Sequence, residues 1–183
     1  MLEGKNVNLR VLERDDIDFL TECCNNLDFW GDNFPAGGMG IQTSKSEWMK
    51  DFDNPTEFQK KWFEKIDWKV FIVQKKDGTK IGLMWHVVNQ PYGMMEIVCF
   101  FVPSEKGKGY GTEATQLLVD YLFLSKNISR IQATTNVRNK TAQRVLEKVC
   151  FRKEGTIRKL LLVRGVWTDY YLHSILREEW KEP

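Results

Sequence analysis

The chain has 183 residues, 42% of them hydrophobic, and a net charge of only +2. This length suits one domain with a sizeable core, and no apolar run reaches the roughly 18 residues that a transmembrane helix needs. The charged first ten residues lack the apolar segment of a signal peptide. The basic side chains are dispersed, unlike those of a nucleic-acid-binding surface. We therefore expect a single domain over residues 1–183 that binds neither membrane nor nucleic acid.

The cysteines and histidines predict neither disulfides nor a metal site. The four cysteines form no C-x-x-C pair, and two histidines are too few for a His-based metal centre. We expect reduced thiols, a cytoplasmic location and no metal cofactor. Residues 13–67 carry 13 acidic and 6 basic side chains, and the remainder carries 12 and 21. The acidic part could attract a cationic amine and the basic part a phosphate-rich ligand, although both could be ordinary solvated surfaces.

The first half of the chain predicts a first strand, then helices, and then a hairpin of two strands. Alternating apolar residues indicate the strands, and Asp or Ser before apolar periodic segments indicates helix starts. The elements are a strand at Asn6–Leu12, a helix from Asp15 or Asp16 to about Asn26, a loop at Leu27–Thr43, helices across Ser44–Lys65 broken near Asn54-Pro55, and a hairpin of Lys69–Gln74 with Lys80–Val88.

The second half predicts four more strands. Helices separate the first three, and the last two form a hairpin. Its elements are a turn at Asn89–Gly93, a central strand at Met94–Val102, a helix at Thr112–Lys126, a buried strand at Arg130–Thr135, a helix at Lys140–Val149, and a hairpin of Phe151–Val163 with Val166–Leu176. The order β-α-α-β-β-β-α-β-α-β-β contains no repeat or linker. It predicts an α+β fold with a mixed sheet.

The most informative motif is PSEKGKGYGTEA, residues 103–114, between the predicted central strand and a long helix. Gly107, Gly109 and Gly111 alternate with charged or aromatic residues, and Lys106 and Lys108 flank the first glycine. Glycine permits a tight turn and close approach of a ligand. A helix start adds unpaired N–H groups that favour phosphate. The spacing fits neither a P-loop nor the dinucleotide fingerprint.

The turn fits Q/R-x-x-G-x-G/A with Lys106, Gly109 and Gly111 in the fixed positions, and it resembles the GNAT superfamily of acyl-CoA-dependent N-acyltransferases. The segments LEGKNVNLRVLERDD, NKTAQRVLEKVCFRKEGTIRK and GVWTDYYLHSILREEW are similar to its RimJ/RimL-like branch, in the same order. This resemblance implies a GNAT-like fold: a central, mostly antiparallel mixed sheet with two splayed parallel strands and flanking helices. It also implies an acetyl-CoA-dependent N-acetyltransferase.

The resemblance assigns the cofactor residues. The diphosphate of coenzyme A would lie on the main-chain N–H groups of residues 108–112, within the segment Lys106, Gly107, Lys108, Gly109, Tyr110, Gly111 and Thr112. The pantetheine arm would lie between Glu96–Val102 and Arg130–Thr135, bound by main-chain groups of Phe101 and Val102, one of which would stabilise the oxyanion. Asn139 would contact the pantetheine, cap the following helix, or do both.

Two residues compete for the role of general base, which must take a proton from the acceptor amine. Glu96 stands alone among apolar residues on the strand that the family uses for its base, and partial burial makes a carboxylate a better proton acceptor. Glu96 could instead form an ordinary ion pair. His86 on the neighbouring strand is the alternative base, although a lone histidine among apolar residues is more often structural.

The general acid of the family is missing. Leu146 stands where many members have a tyrosine, Ala142 where the RimJ/RimL-like branch has a serine, and Cys150 where a glycine is expected. Tyr110, Tyr170, Tyr171 or water could protonate the thiolate, and a thiol with a pKa of about 8.5 can also leave without help. Cys99 is interpreted as a buried structural thiol.

The acceptor would bind between the Leu27–Ile41 loop, the Ser44–Lys65 helices and the last hairpin. Trp30, Phe34, Trp48 and Trp167 are candidate walls, and Asp28 and Asp32 could contact a cation. The acceptor would be a primary amine of a protein N-terminus, an amino sugar, an antibiotic or a polyamine. A non-catalytic acyl-CoA-binding domain and another nucleotide-binding domain remain alternatives, and the protein could be a monomer or a homodimer.

Overall fold

The computed structural model describes residues 1–31, 44–54, 69–89 and 93–183, except for the side chains of residues 51, 88 and 89. Its strands are β1 (Leu2–Glu3), β2 (Val7–Val11), β3 (Lys69–Lys75), β4 (Lys80–Asn89), β5 (Met94–Phe101), β6 (Arg130–Asn136), β7 (Arg152–Val163) and β8 (Val166–Leu176). Its helices are α1 (Ile17–Asn25), α2 (Leu27–Trp30), α3 (Lys45–Asp53), α4 (Tyr110–Ser125) and α5 (Lys140–Lys148). Short 3-10 turns cover Arg14–Asp16 and Pro103–Glu105.

The strands of the described chain form one mixed sheet in the order β1-β2-β3-β4-β5-β6-β8-β7. Every neighbouring pair is antiparallel except β5 and β6, which run parallel. The two long hairpins turn where the sequence predicts, because Gly78 and Gly165 supply the positive φ angles of 85° and 80° that tight turns require. The predicted α+β fold with a mostly antiparallel mixed sheet is confirmed.

Helix α4 covers one face of the sheet. Ala114, Leu118 and Leu122 are spaced four residues apart and are fully buried, because this spacing places them on one side of a helix. They pack in a core that also contains Ile97 of β5 and Leu146 of α5. The long helix is thereby fixed with its first turn near the end of β5.

Helices α1, α2 and α3 cover the opposite face of the sheet, called here the acceptor-side face. Its core contains Ile17, Leu20, Phe29, Trp30 and Trp48 from the helices, packed on Ile72, Leu83 and Trp85 of the sheet. Helix α3 begins at Ser44 as predicted. The Ser44 hydroxyl accepts the N–H of Glu47 at 3.2 Å, and the Glu47 carboxylate accepts the N–H of Ser44 at 2.9 Å, a reciprocal cap.

The sequence predicted that Asp15 or Asp16 caps the first helix. The Asp16 side chain does not cap α1 and instead joins this helical layer to the sheet. Its buried carboxylate accepts two hydrogen bonds from Arg10 at 2.5 and 2.6 Å and one from the Glu13 N–H at 2.8 Å, and it contacts Lys80 at 2.6 Å. Burial alone would raise the pKa of Asp16, but the hydrogen bonds from Arg10, Lys80 and Glu13 outweigh it and lower the pKa from 3.8 to about 2.

The predicted loop after α1 is helical in its first four residues. Asn26 Oδ1 accepts the N–H groups of Asp28 and Phe29 at 2.9 and 3.3 Å and so begins α2. Burial of Phe29 and Trp30 holds that turn against the sheet. The rest of the predicted loop, the predicted helix beyond Asn54 and residues 90–92 lie outside the described residues. No helix in the described ranges has the length and apolarity to cross a bilayer.

Candidate active site

The sheet opens between its two parallel strands. β5 and β6 pair only through Met94–Arg130, Met95–Ile131 and Glu96–Gln132. Both strands lie wholly in the described chain, and β5 continues to Phe101 and β6 to Asn136 beyond the last pair. A gap therefore separates their carboxyl ends, as the resemblance implied.

The main chain of β5 directs hydrogen-bonding groups into this gap. Val102 donates its N–H to Ile81 O at 2.9 Å. Since successive residues of an antiparallel strand direct their N–H and C=O groups to opposite sides, Phe101 directs its groups toward β6 and the gap. The expected role of Phe101 is compatible with this geometry. Val102 differs, because its C=O also accepts the Glu105 N–H at 3.0 Å, so both of its main-chain groups have protein partners. Its contact with the pantetheine arm stays a prediction.

The glycine-rich turn presents a row of N–H groups. Gly107 and Gly109 have φ angles of 82° and 91°, which glycine adopts at little cost, and Gly109 is the N-cap of α4. In this fully described segment, the main-chain N–H groups of residues 107–111 have no protein acceptor. The Thr112 N–H donates to Gly109 O at 3.1 Å, so the donor set is shifted by one residue from the prediction. These N–H groups suit a diphosphate at a helix start.

The two lysines of the turn contact protein oxygens. Lys106 Nζ donates to Asp28 O at 3.3 Å, at the end of the acceptor-side layer. Lys108 Nζ contacts Glu105 Oε2 at 3.0 Å. Neither ammonium is needed to make the row of N–H groups, which supports the expectation that main-chain donors matter more than these side chains.

Helix α5 meets the turn and the end of β5 at Gly111. A Cβ atom at Gly111 would lie 3.5 Å from Phe101 and 3.6 Å from Val145 of α5. The predicted cap at Asn139 is present, since its Oδ1 accepts the Ala142 N–H at 3.0 Å. In this part of the described chain the Asn139 Nδ2 group has no protein acceptor, so the cap and a contact to pantetheine can coexist.

Glu96 lies at the point where the two parallel strands separate. It is partly buried and shares the acceptor-side face with Val98 and Phe100, because side chains alternate along a strand. Thr134 Oγ1 donates to Glu96 Oε1 at 3.1 Å, and Gln132 Nε2 donates to Glu96 Oε2 at 3.4 Å. The carboxylate has two neutral donors from β6 rather than the ion pair that was the alternative to a role as the base.

His86 lies on the other face of the sheet. It is opposite Ile97 in the β4–β5 ladder, whereas Glu96 is opposite Val87, and Ile97 belongs to the core under α4. His86 is fully buried there, beside Phe71. The structure therefore does not bring His86 and Glu96 together, and the placement of His86 matches a core residue.

The structure selects no tyrosine as the proton donor. Tyr170 is buried, the ring of Tyr171 lies 3.2 Å from Lys153 Nζ, and Tyr110 packs against the core under α4. Leu146 is a core residue, as its apolar side chain requires. Burial raises the pKa of the Cys99 thiol, which agrees with a structural role rather than a nucleophilic one.

Cys150 departs from the expected glycine at a position where the backbone favours glycine. Its φ is 64°, in the left-handed region just after α5. The Phe151 N–H reaches back to Leu146 O at 2.9 Å and the Cys150 N–H to Glu147 O at 3.1 Å, a common helix end. The expected glycine therefore concerns the turn after α5 rather than the chemistry.

The residues expected to form the walls of the acceptor pocket lie in different environments. Trp30 is buried, donates its Nε1–H to Cys24 O at 2.9 Å and packs on Phe100 with ring centroids 4.8 Å apart. Trp167 is 58% exposed near the tip of the β7–β8 hairpin. Phe34 and Asp32 lie outside the described residues. Trp30 thus supports the face that carries Glu96, and the structure does not place Trp167 beside it.

Sequence reasoning missed Gln132 and Thr134. Alternation along β6 puts them on one face, but neither strand pattern indicates which residues of β5 they meet. The pairing of Glu96 with Gln132 supplies that information.

Comparison with known proteins identifies the family. Residues 6–152 match the acetyltransferase (GNAT) domain, and the chain belongs to this family of acetyl-CoA-dependent N-acetyltransferases. It is 30% identical over 98% of both chains to the probable N-acetyltransferase YjcK of Bacillus subtilis. The turn and the gap fit the two halves of coenzyme A: N–H groups for the diphosphate and an open strand edge for the pantetheine.

Solved structures share the fold. The spermidine N-acetyltransferase of Vibrio cholerae, in complex with CoA and spermine, superposes with a TM-score of 0.80 at 22% identity, over 94% of this chain and 96% of that one. RimJ of Mycobacterium smegmatis, in complex with CoA-disulfide, gives a TM-score of 0.78 at 23% identity, over 94% and 83% of the two chains. At these identities the likeness establishes the fold.

Proposed function

We propose that one domain, residues 1–183, acetylates a cationic primary amine that binds on the acceptor-side face, with Glu96 as the general base. The observation that carries this proposal is the position of the Glu96 carboxylate at the closed end of the β5–β6 gap, where the two strands separate. The gap begins at Glu96, and the row of N–H groups at residues 107–111 lies beyond its far end. A carboxylate at this point is next to the place where a thioester in the gap would end.

The proposed role of Glu96 follows from the state of the substrate. A primary amine of pKa about 8 to 10.4 arrives mostly protonated at neutral pH and must lose a proton before it attacks. Glu96 takes that proton, directly or through water. The amine nitrogen then bonds to the acetyl carbon and the carbon–sulfur bond breaks. The proton that the nitrogen loses on becoming an amide passes to the thiolate through water, and coenzyme A leaves as its thiol.

Main-chain groups would hold the reacting carbonyl. The Phe101 N–H faces the gap and is the proposed oxyanion donor, a type of contact whose loss typically costs about 2.7 to 4 kcal/mol of transition-state stabilisation. Proton donation to the leaving thiolate needs no dedicated residue, since a thiol of pKa about 8.5 is a moderate leaving group. This accounts for an active enzyme with Leu146 and Ala142 at the family's general-acid positions.

The proposed acceptor is a polyamine or a protein N-terminus. Asp28 of α2 and Glu22 of α1 are exposed on helices of the acceptor-side layer, and negative charge there would attract a cationic amine. The relatives by sequence include a spermidine N(1)-acetyltransferase and a putative ribosomal N-acetyltransferase, which supports both acceptor classes and a RimJ/RimL-like branch. The four free cysteines support the reducing cytoplasm as the location.

The test is a direct assay of the purified protein. Acetyl-CoA is incubated with spermidine, a peptide with a free N-terminus and an amino sugar, and released thiol and acetylated product are measured. We expect thiol release with at least one of the first two amines. Tight CoA binding in calorimetry without thiol release on any amine would contradict the proposal and favour a non-catalytic acyl-CoA-binding domain.

A further inference from the structure

We propose that Thr134 and Gln132 are positioning residues for Glu96, holding its carboxylate across the β5–β6 gap at the point where the amine must lose its proton. This inference rests on the proposed function. Each carboxylate oxygen receives one donor, the Thr134 hydroxyl at 3.1 Å and the Gln132 amide at 3.4 Å. Further acceptor directions on both oxygens stay available for an amine or a water molecule.

The two donors come from the strand on the far side of the gap. Gln132 is the partner of Glu96 in the last parallel pair, and Thr134 follows on the same face of β6, beyond the end of the pairing. The carboxylate is therefore drawn from β5 toward the unpaired part of β6. A free glutamate side chain would sample several rotamers, and two fixed donors reduce that sampling at the point where the substrates must meet.

No charged group described around Glu96 provides an alternative hold on the carboxylate. β4 presents Trp85 and Val87 to this face, and the charged residue of α2, Asp28, is exposed. On β6, Arg130 makes two 2.6 Å contacts with Glu154 of β7. Helix α4 packs on the opposite face. The neutral donors on β6 are thus the observed partners of the base.

Loss of a donor should leave the Glu96 carboxylate free to sample other orientations and so slow the proton transfer. Thr134→Val removes the hydroxyl at nearly constant shape, and Thr134→Ser keeps it. Thr135→Val is a matched control on the same strand, because Thr135 is buried on the opposite face. Gln132→Leu removes the longer contact and should have the smaller effect.

The first readout needs no substrate. In protein labelled with ¹³C at the glutamate carboxyl carbons, the Glu96 signal is assigned by its loss in Glu96→Gln, and its chemical shift, which responds to hydrogen bonding, is recorded at pH 7. We expect the signal to move in Thr134→Val, by less in Gln132→Leu, and not in Thr134→Ser or Thr135→Val. An unmoved signal in Thr134→Val overturns the proposal.

The second readout is kcat and the KM for acetyl-CoA, measured at pH 7 with the most active amine of the panel. We expect kcat to fall by about tenfold in Thr134→Val at an unchanged KM, and to return in Thr134→Ser. A moved NMR signal with a wild-type kcat overturns the positioning role. Wild-type turnover in Glu96→Gln is a different failure, because it removes Glu96 as the base and the proposed mechanism with it, whatever Thr134→Val does.

Discussion

The cofactor side and the acceptor side of the site are built from different kinds of chemical groups. The proposed diphosphate cradle consists of main-chain N–H groups from the contiguous residues 107–111. The proposed base is a side chain held by two others that are 36 and 38 residues away along the chain. Main-chain recognition is therefore local and depends on backbone conformation, whereas the acceptor side depends on strand register and can change without disturbing the cradle.

The largest expected effect tests the cradle. Gly109→Glu places a negative charge and a side chain at the N-cap of α4, where φ is 91°, and we expect no CoA binding by calorimetry. Gly78→Glu is the matched control, because Gly78 also has a left-handed φ of 85° and open space around it. Both variants share the backbone strain, and only the first should lose CoA. Equal CoA affinity in the two would remove the cradle assignment.

The next effect tests the acceptor side separately. Glu96→Gln keeps the shape of the side chain and removes the proton acceptor, so kcat should fall by roughly 100-fold or more while CoA affinity stays the same. Glu154→Gln, on the same side of the sheet but paired with Arg130, serves as the control and should keep its turnover. A loss of CoA affinity in Glu96→Gln would show that the two sides are not independent.

A third variant breaks the anchor of the acceptor-side layer. Asp16→Asn leaves Arg10 and Lys80 without their buried partner and should lower the free energy of unfolding in urea by about 3 kcal/mol at pH 7. Asp53→Asn is the control, because the Arg14–Asp53 pair is 3.2 Å long with both side chains 53% exposed, and exposed pairs contribute little.

The same anchor gives a pH signature. The folded pKa of Asp16, about 2, lies below its usual value of 3.8, so its contribution is complete above pH 4 and is lost as the pH falls toward 2. Wild-type protein should lose stability through this window more steeply than Asp16→Asn. Parallel curves would show that the Asp16 charge does not stabilise the fold.

The smallest effect separates the two roles of Asn139. Asn139→Ala removes the cap and should cost about 1 kcal/mol of stability, whereas Asn139→Asp keeps an acceptor for the Ala142 N–H. Both variants lose the Nδ2 donor, so KM for acetyl-CoA should rise about three- to tenfold in each. A wild-type KM in the aspartate variant, measured beside its melting temperature, would limit Asn139 to the cap.

The same contrast explains what the sequence could and could not predict. Gly107 and Gly109 predicted the turn correctly, because the ability to adopt a left-handed φ angle is a property of glycine itself. Asn139 was recognisable as a cap for the same local reason. The hydrogen bonds of Glu96 to Thr134 were not predictable, since alternation gives the face of a strand but not its register against a neighbour.

Asp16 and Val102 show the same limit. Asp16 at a helix start has a sufficient local explanation as a cap, and only the folded chain brings Arg10 and Lys80 to it. The hydrogen bond from the Val102 N–H to Ile81 depends on how β4 and β5 pair. Local conformation was therefore readable, and contacts between distant segments needed the fold.

The short parallel junction has a mechanical consequence. Three residue pairs join the β1–β5 half of the sheet to the β6–β8 half. Apart from the two-residue edge strand β1, this is the shortest strand pairing in the sheet, and coenzyme A is expected to bind beside it. An amide-bearing ligand bound along the edge of β5 would add hydrogen bonds between the two halves of the sheet. Cofactor loading should therefore stiffen the whole sheet, and slowed amide hydrogen exchange at Ile97, Cys99 and Phe101 would report it.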